Sequence, residues 1–512
     1  MAEDFNPIIG KTVLETLTSG MYDDARFIFR EYIQNAADQI DEAVQLEILK
    51  NKIEGKIEIE IDPSNHRIRI SDNATGISTD DVLQFLGDVA NSQKDVKRQK
   101  GFRGIGRLGG LGYCNRLVFE TSYSGESIRS RMILDAKLLK RIIEDRKDSK
   151  DAAAAISVIT TIEREEEDAS EHYFRVILEE VFSDKVLNVA EVNSYLSMVA
   201  PVPFSSSFSF TDDIKIYLTS RNLTLDEYNV QLNGNIIFKG YKNSFTEENG
   251  TISNLVGVDF VDIRNDDEEL IAICWYGYRD FSNTIIFEEN KERGIRIRTK
   301  NIAIGDESTC KRFFDAERTN LRFIGEIHTL SDGFVPNARR DYFTENAIYQ
   351  QFEKNAKDIF TQQNLENRLA QTASKLHNRL SEIIKYKDAF EDFKGHKGEF
   401  ENEATETYHL NKLKELEGKA LKAKKVIEKI HNKAASYSNI KVLYESIIKQ
   451  NDINIEHLGA ANFQVSKYDP PNLANLNADQ KKVVLEIFEI LEEELDFNTS
   501  ELIKKKIIEK YK

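Results

Sequence analysis

The chain has 512 residues and a mass of 58.8 kDa, which is too long for one ordinary hydrophobic core and predicts two or three domains. Its net charge of -17, from 70 Lys+Arg against 87 Asp+Glu, argues against attraction of the whole protein to nucleic acid or anionic membrane, although a local basic patch is compatible with it. Three widely spaced cysteines, no signal pattern and no apolar run of about 18 residues predict a cytoplasmic protein without membrane contact.

Two amphipathic helices are predicted first, over residues 11–20 and 22–50, with a break near Ser19-Gly20. In the second helix, Glu31, Asn35 and Asp38 recur at i, i+4 and i+7 and so share one face. A carboxylate and an amide oxygen one turn apart can hold a water and a hydrated magnesium ion against a phosphate chain. The same spacing also fits an ordinary solvated helix face.

A β-hairpin is predicted next, because residues 56–61 (KIEIEI) and 66–70 (HRIRI) alternate apolar and polar side chains across a turn at 62–65. The turn motif SDNATGIS follows at once, with Asp72 at the strand end and Gly76 where the backbone must turn tightly. A carboxylate at this position can accept a hydrogen bond from an exocyclic amine, which would select adenine over guanine.

A glycine-rich segment at residues 101–112 (GFRGIGRLGGLG) follows a short helix at 79–89 and a polar loop at 91–100. Six glycines in twelve residues can expose successive backbone N–H groups to phosphates and open a helix whose N-terminus favours anions. Strand patterns near 116–122, 127–134, 156–163 and 172–178 complete a sheet. The fold class predicted for this part is α+β with antiparallel hairpins, unlike the βαβ repeat of a Rossmann domain.

A separate α+β domain is predicted beyond this sheet, from four β-rich segments near 214–218, 230–238, 269–278 and 294–304. From about residue 344, charged helices replace the strands. Near 410–435 a three-repeat heptad seam fits either a coiled coil or a helix packed in a bundle. The seam consists of Leu413, Leu416, Ala420, Ala423, Ile427, Ile430 and Ala434.

Positive charge is concentrated around this seam and in the tail at 504–506. Such a run is usually a solvated helix face, and the alternative is a site for the phosphate backbone of DNA. The lysines concerned are Lys412, Lys414, Lys419, Lys422, Lys424, Lys425, Lys429, Lys433, Lys504, Lys505 and Lys506.

Three motifs in order carry a resemblance to a known family. EYIQNAAD (31–38) resembles the N box of the GHKL ATPases, SDNATGIS (71–78) their aspartate-glycine box, and GFRGIGRLGGLGY (101–113) their phosphate-binding glycine box. This superfamily includes gyrase B, the ninety-kilodalton heat-shock chaperones, histidine kinases and mismatch-repair clamps. The resemblance covers roughly the first 185 residues, and it is nearest to the HtpG-like chaperones in the glycine box.

The resemblance implies roles for particular residues. Glu31 would be the general base for the attacking water, Asn35 the Mg²⁺ ligand and Asp72 the adenine reader, with Asp38 near the ribose or base edge. Ala74 replaces the first glycine of the DxGxG pattern, and no P-loop is present. The implied nucleotide contacts are Asn35, Asp38, Asp72, Gly76, Gly101, Gly104, Ile105, Gly106, Gly109 and Thr161. Thr161, in ITTIE, resembles the threonine that supports the adenine aspartate, although Thr160 stands where the family usually has glycine.

A second resemblance lies in the middle region, where FVPNARRD (334–341) is similar to the PLNxSRE loop of the chaperones. It implies that Arg340 serves the γ-phosphate, with Asn337 beside it. The segment GIRIRTKNIAIG (294–305) is another candidate contact loop, with Lys300 as the runner-up cation. The alternative is that Arg339 and Arg340 pair with surface acids.

The resemblance implies an N-terminal Bergerat-fold ATP-binding α/β sandwich (1–185), an α+β transducer domain (186–343) and a helical region (344–512). It implies a slow ATPase that uses ATP and Mg²⁺, with closure of a lid at 91–104 and a homodimeric clamp acting on a protein client. The alternatives are a DNA-associated clamp of the mismatch-repair or microrchidia type, in genome maintenance or defence against foreign DNA, and an ATP-dependent scaffold whose helical tail recruits an effector.

Overall fold

The computed structural model separates into two compact units. The first comprises Met1–Ser374 with Ala434–Gln450, and the second comprises Lys375–Lys433 with Asn451–Lys512. The residues that the structure describes are 8–20, 24–88, 106–280, 283–363, 365–400, 403–451, 463–466, 473 and 476–510.

The N-terminal part of the first unit is a mixed α+β structure, as the sequence predicts. Its strands form one sheet in the order β5-β4-β3-β6-β2-β1-β7-β8. The elements are α1 (Thr12–Glu15), α2 (Phe27–Gln45), β1 (Lys56–Asp62), β2 (Arg67–Asp72), α3 (Val82–Gly87), β3 (Arg116–Ser122), β4 (Ile128–Asp135), α4 (Ala136–Glu144), α5 (Ala152–Ile159), β5 (Thr160–Glu166), β6 (Tyr173–Glu179), α6 (Asp184–Leu187), α7 (Val189–Val199), α8 (Thr211–Thr219), β7 (Asn229–Leu232) and β8 (Asn235–Ile236).

The predicted hairpin of β1 and β2 is confirmed. The two strands pair antiparallel, with Ile59 opposite Ile70 and Ile61 opposite Ile68. These isoleucines are buried because alternate side chains of a strand point to the same face, and here that face is the core. The register leaves Asp72 at the end of β2, opposite Ile57.

Helix α2 has two faces of different chemistry. Ile33, Ala36 and Ile40 lie on its core face and are almost completely buried. Its opposite face carries the polar residues of the N box. The helix packs against β1, β2, α7 and a 3₁₀ helix at Gly106–Gly112, which is called the glycine turn below.

The rest of the first unit is built on a second sheet, in the order β13-β12-β14-β11-β10-β9. Strands β7 and β8 do not join this sheet, since β7 pairs parallel with β1 and so extends the first one. The elements of this part are β9 (Ser244–Thr246), β10 (Ile252–Arg264), β11 (Leu270–Arg279), β12 (Gly294–Thr299), β13 (Ile302–Ile304), β14 (Ile324–Thr329), α9 (Ala347–Asp358) and α12 (Ser438–Gln450).

A buried ionic cluster fastens β14 in this second sheet. Glu326 contacts Lys239 at 2.6 Å and also pairs with Arg298, and all three side chains are fully buried. Burial opposes the charge on Glu326, but the two cations outweigh it and hold the pKa of Glu326 well below its usual value. Because removal of one member would leave a buried charge without its counter-ion, the cluster fixes the strand that leads to Arg340.

One predicted strand is wrong, and a second begins later than predicted. Residues 214–218 lie in helix α8, because Ile214 and Leu218, four residues apart, are the pair it buries. Residues 156–159 are the end of helix α5, which continues an alanine run with high helix propensity, and the strand begins only at Thr160.

The C-terminal part is helical, and no described residue after Thr329 belongs to a named strand. Its long helices are α10 (Gln371–Gly395), α11 (Glu403–Ala434), α13 (Ala478–Glu494) and α14 (Phe497–Lys510). In α11 the heptad seam faces inward, with Leu413, Ala420 and Ile427 buried. Burial of the seam fits both a coiled coil and a helix packed in a bundle, so the coiled coil stays a prediction. None of the helices described is long and apolar enough to cross a membrane.

Candidate nucleotide-binding site

The polar face of α2 forms one wall of the candidate site. Glu31 and Asp38 are buried, and Asn35 between them is half-buried. Gly106 lies directly against Glu31, since a Cβ atom at this glycine would be 2.4 Å from Glu31 Oε2. The structure thus brings the N box and the glycine-rich segment together.

The glycine turn is held on α2 by close backbone contacts. Tyr32 Oη accepts a hydrogen bond from the Gly110 backbone N–H at 3.0 Å and donates one to the Arg107 carbonyl at 3.0 Å. A Cβ at Gly109 would come within 2.8 Å of the Phe27 ring. These glycines therefore permit a close approach between helix and turn. Gly101, Gly104, Ile105 and the predicted lid at 91–104 lie outside the described residues.

Arg340 comes to the site from the loop between β14 and α9. Its Nε lies 3.0 Å from Glu31 Oε1, and both side chains are more than nine-tenths buried. Among the described residues none donates a hydrogen bond to Glu31 Oε1, so the contact with Arg340 is an ion pair without hydrogen-bond geometry. Arg30 Nη2 lies 3.6 Å from the same oxygen. The carboxylate predicted to be the base thus meets the cation predicted to serve the γ-phosphate.

The loop of Arg340 has a defined backbone. Arg340 has a φ of +55°, a left-handed conformation that costs a non-glycine residue about 1–2 kcal/mol. Its carbonyl accepts the Gly305 N–H at 2.8 Å, and its N–H donates to the Asn337 carbonyl at 3.1 Å. Asn337 in turn donates to Asp341 at 2.6 Å. These bonds offset the strain and aim the guanidinium at Glu31.

Asp72 is buried at the end of β2. Burial raises the pKa of Asp72 to about 7, although hydrogen bonds from the backbone of Ala74 and Phe174 lower it in part. The Ala74 N–H donates to Asp72 Oδ1 at 3.1 Å. A buried carboxyl at a strand end, with acceptor capacity left over, suits recognition of an amine.

Gly76 occupies a position that no other residue fits. Its φ is +69°, and a Cβ there would lie 1.9 Å from the Ser122 carbonyl oxygen. Ala74, in contrast, is fully buried and does not have a positive φ, so the glycine of the DxGxG pattern is not needed at this position.

The structure does not bring Thr161 to Asp72. Thr161 is exposed on β5 at the sheet edge, and β4, β3 and β6 lie between it and β2. Thr121 of β3 is nearer, because Asp72 pairs with Phe174 and Phe174 pairs with Thr121. Its hydroxyl donates to the Tyr173 carbonyl at 3.0 Å and accepts the Ile77 N–H at 2.8 Å.

Thr121 and His172 contact the turn that follows Asp72, and the sequence patterns did not single out either residue. The ring Nδ1 of His172 lies 2.7 Å from the Ala74 carbonyl, which places the imidazole on the turn that follows Asp72. The available signal for Thr121 was a buried strand, RLVFETS, that ends in three polar residues. Lys300 lies in the tight turn between β12 and β13, with a φ of +47°.

A dedicated metal site is not found among the residues that the structure describes, since no three His, Cys, Asp or Glu side chains cluster suitably. Mg²⁺ usually enters nucleotide sites with the phosphates and takes only one or two protein oxygens. The half-buried amide of Asn35, one turn from Glu31, fits that limited role.

Residues 28–166 match the family model described as "Histidine kinase-, DNA gyrase B-, and HSP90-like ATPase". The chain resembles a GHKL ATPase of the HtpG kind. The chaperone protein HtpG of Cupriavidus metallidurans is 29% identical over 173 residues, 31% of this chain and 27% of that protein. HtpG of Rickettsia canadensis is 21% identical over 370 residues, 69% of this chain and 54% of that protein.

The ATPase region of Saccharomyces cerevisiae topoisomerase II is a structural match, with a TM-score of 0.39, 12% identity and coverage of 68% of this chain and 85% of that one. The chain spans 27% and 54% of the lengths of the two HtpG proteins. The family model itself covers residues 28–166 of this chain.

Gly76→Ala is expected to lower the free energy of unfolding by about 2–5 kcal/mol, from left-handed strain and overpacking together. The matched control is Gly125→Ala, where φ is +91° but nothing lies within 4 Å of the added Cβ. Because only strain acts there, a loss of about 1–2 kcal/mol is expected. Urea unfolding measures both, and equal losses would contradict the close approach at Ser122.

Asp72 is expected to titrate near pH 7 in the free protein. The measurement is ¹³C NMR of its carboxyl group, and the resonance is identified by its loss in Asp72→Asn. An amine donor prefers the carboxylate, so ADP should lower the midpoint and nucleotide affinity should weaken as pH falls below about 7. A midpoint near 4 in the free protein would contradict the burial of this group.

Proposed function

We propose that this chain is an ATP-binding and slowly hydrolysing clamp of the GHKL type, which works as a homodimer on a protein partner. The observation that carries the proposal is the 3.0 Å contact between Glu31 and Arg340. It joins two residues selected independently, one as the base of the N box and the other as the cation of a distant loop.

In the proposed reaction, water attacks the γ-phosphorus while Glu31 takes its proton. The bond from the γ-phosphorus to the bridging oxygen breaks, and ADP and inorganic phosphate are the products. Arg340 stabilises the negative charge on the phosphoryl oxygens as they separate. Mg²⁺, when bound with the nucleotide, neutralises phosphate charge, and Asn35 is the residue proposed to hold it.

Asp72 is proposed to select adenine, and Gly76 supplies the tight turn that lets the backbone approach the base. The burial of Asp72 supports this assignment, because a hydrogen bond to an amine counts for more where water is excluded. Asp38, Gly106 and Gly109 are proposed to lie along the remainder of the nucleotide.

Slow turnover is proposed because Arg340 is engaged by Glu31. To reach a γ-phosphate, the guanidinium must give up part of this contact inside a buried site. A change of that kind, together with lid closure and dimer formation, would precede the chemical step.

A protein client is proposed from the likeness to HtpG, which extends over 69% of this chain at 21% identity. A second candidate, a DNA-associated clamp, is favoured by the exposed lysines of α11. Those exposed are Lys412, Lys414, Lys419, Lys422, Lys425, Lys429 and Lys433.

For the DNA alternative, ATPase rates with and without duplex DNA are the measurement, at about 50 and 200 mM salt. The protein-client proposal predicts no stimulation at either salt. Stimulation that falls steeply between the two salts would favour the DNA clamp, because phosphate contacts release counter-ions.

Glu31→Ala should bind ATP but not hydrolyse it, and Asp72→Asn should lose ATP binding. Arg340→Ala should lower kcat by about 10²–10³-fold, the usual effect of removing one group that stabilises transition-state charge. The neighbouring Arg339 is exposed, and Arg339→Ala serves as the matched control with an unchanged rate. Phosphate release measures turnover, and equilibrium dialysis measures ATP binding. Equal turnover in wild type and Glu31→Ala would refute the assignment of the base.

A further inference from the structure

The side chain of Gln34 is a buried amide without a partner. Gln34 is 1% exposed, and neither its Oε1 nor its Nε2 makes a hydrogen bond within the part of the chain that the structure describes. An amide has one strong acceptor and two donors, and leaving them unmatched away from water is costly. The two atoms thus differ from most buried polar groups, which are satisfied by the fold itself.

Gln34 lies on the polar face of α2, not on its core face. At about 100° per residue, Gln34, Glu31, Asp38 and Asn35 fall within about 100° of the helix circumference. Ile33, on the core side, lies well outside that sector. Gln34 therefore belongs to the wall of the candidate site, one turn from Glu31.

Gln34 and Glu31 are neighbours on the surface of α2. Residues three apart on a helix are about 5–6 Å apart at Cβ, and helical side chains lean toward the N-terminus of the helix. Glu31 contacts Arg340 and lies against the glycine turn at Gly106. An amide at position 34 is therefore within reach of the surroundings of the proposed base.

We propose that Gln34 positions the attacking water, an inference that rests on the proposed ATPase function. A water molecule both donates and accepts hydrogen bonds, so it can match the two unpaired ends of an amide. The Gln34 Oε1 accepts a hydrogen bond from one O–H of the water while Glu31 takes the other proton. Nε2 donates to an oxygen of the γ-phosphoryl group only as negative charge develops there in the transition state. Gln34 transfers no proton; it orients the water lone pair toward phosphorus.

A solely structural role predicts a different energetic signature. A glutamine kept for the fold would have partners in the fold, and its replacement would destabilise the chain. Gln34 has none, so an apolar side chain of the same length should be tolerated or stabilising. Stability and turnover should then change in opposite directions, which is typical of groups kept for a reaction.

The test is Gln34→Met, which keeps the length of the side chain and removes the amide. We expect a Tm equal to or above that of the wild type, unchanged KM and ATP affinity, and a kcat lower by about 10- to 100-fold. The pH profile should keep the wild-type midpoint of its acidic limb, because the proton acceptor is unchanged. Gln45→Met, at an exposed position on the same helix, is the control with wild-type stability and rate.

Gln34→Asn, which retains a shorter amide, should recover part of the lost kcat. Wild-type kcat in Gln34→Met would overturn the inference while leaving the ATPase proposal intact. A lower Tm in Gln34→Met would also overturn it, because the amide would then have a partner in the fold. If the wild-type protein binds ATP without hydrolysing it, the proposed function fails first, and that result is distinct from either.

Discussion

The ion pair between Glu31 and Arg340 is the contact on which the candidate site depends. Both side chains are almost fully buried, and the cost of removing two charges from water can exceed the attraction between them. Arg340 also holds a left-handed backbone conformation. Such costs are usual where a residue is kept for chemistry and the surrounding structure maintains it. The remainder of the first unit is the frame that holds these two residues in contact.

The frame has one component close to the pair and one farther away. Close by, the glycine turn lies against α2, and the absence of a Cβ at Gly106 makes room for the Glu31 carboxylate. Farther away, a chain of polar contacts of 2.6–2.9 Å leads from α2 to β14, the strand before the Arg340 loop. The residues that make this series of contacts are, in order, Asp41, Lys52, Asp226, Asn301, Lys239 and Glu326.

Local patterns in the sequence predicted those parts of the fold and site that depend on neighbouring residues. The β1–β2 hairpin follows from alternation, and the position of Asp72 at its end follows from the hairpin. The need for glycine at position 76 follows from the tight turn. The strand predicted at 214–218 failed because a short apolar run fits strand or helix equally well, and burial at i and i+4 decided for the helix.

What the sequence could not supply was the order of strands and what covers each surface. Thr161 and Thr121 both lie in strand patterns, and only the sheet order places Thr121 two strands from Asp72 and Thr161 at the edge. Gln34 is a similar case. In the sequence it is one more polar residue of an amphipathic helix, and the same letter would serve on a solvated face. Its significance arises only because other elements bury it, while no described residue offers its amide a hydrogen bond. A buried amide without a partner, one helical turn from the proposed base, is a feature that the sequence alone does not show.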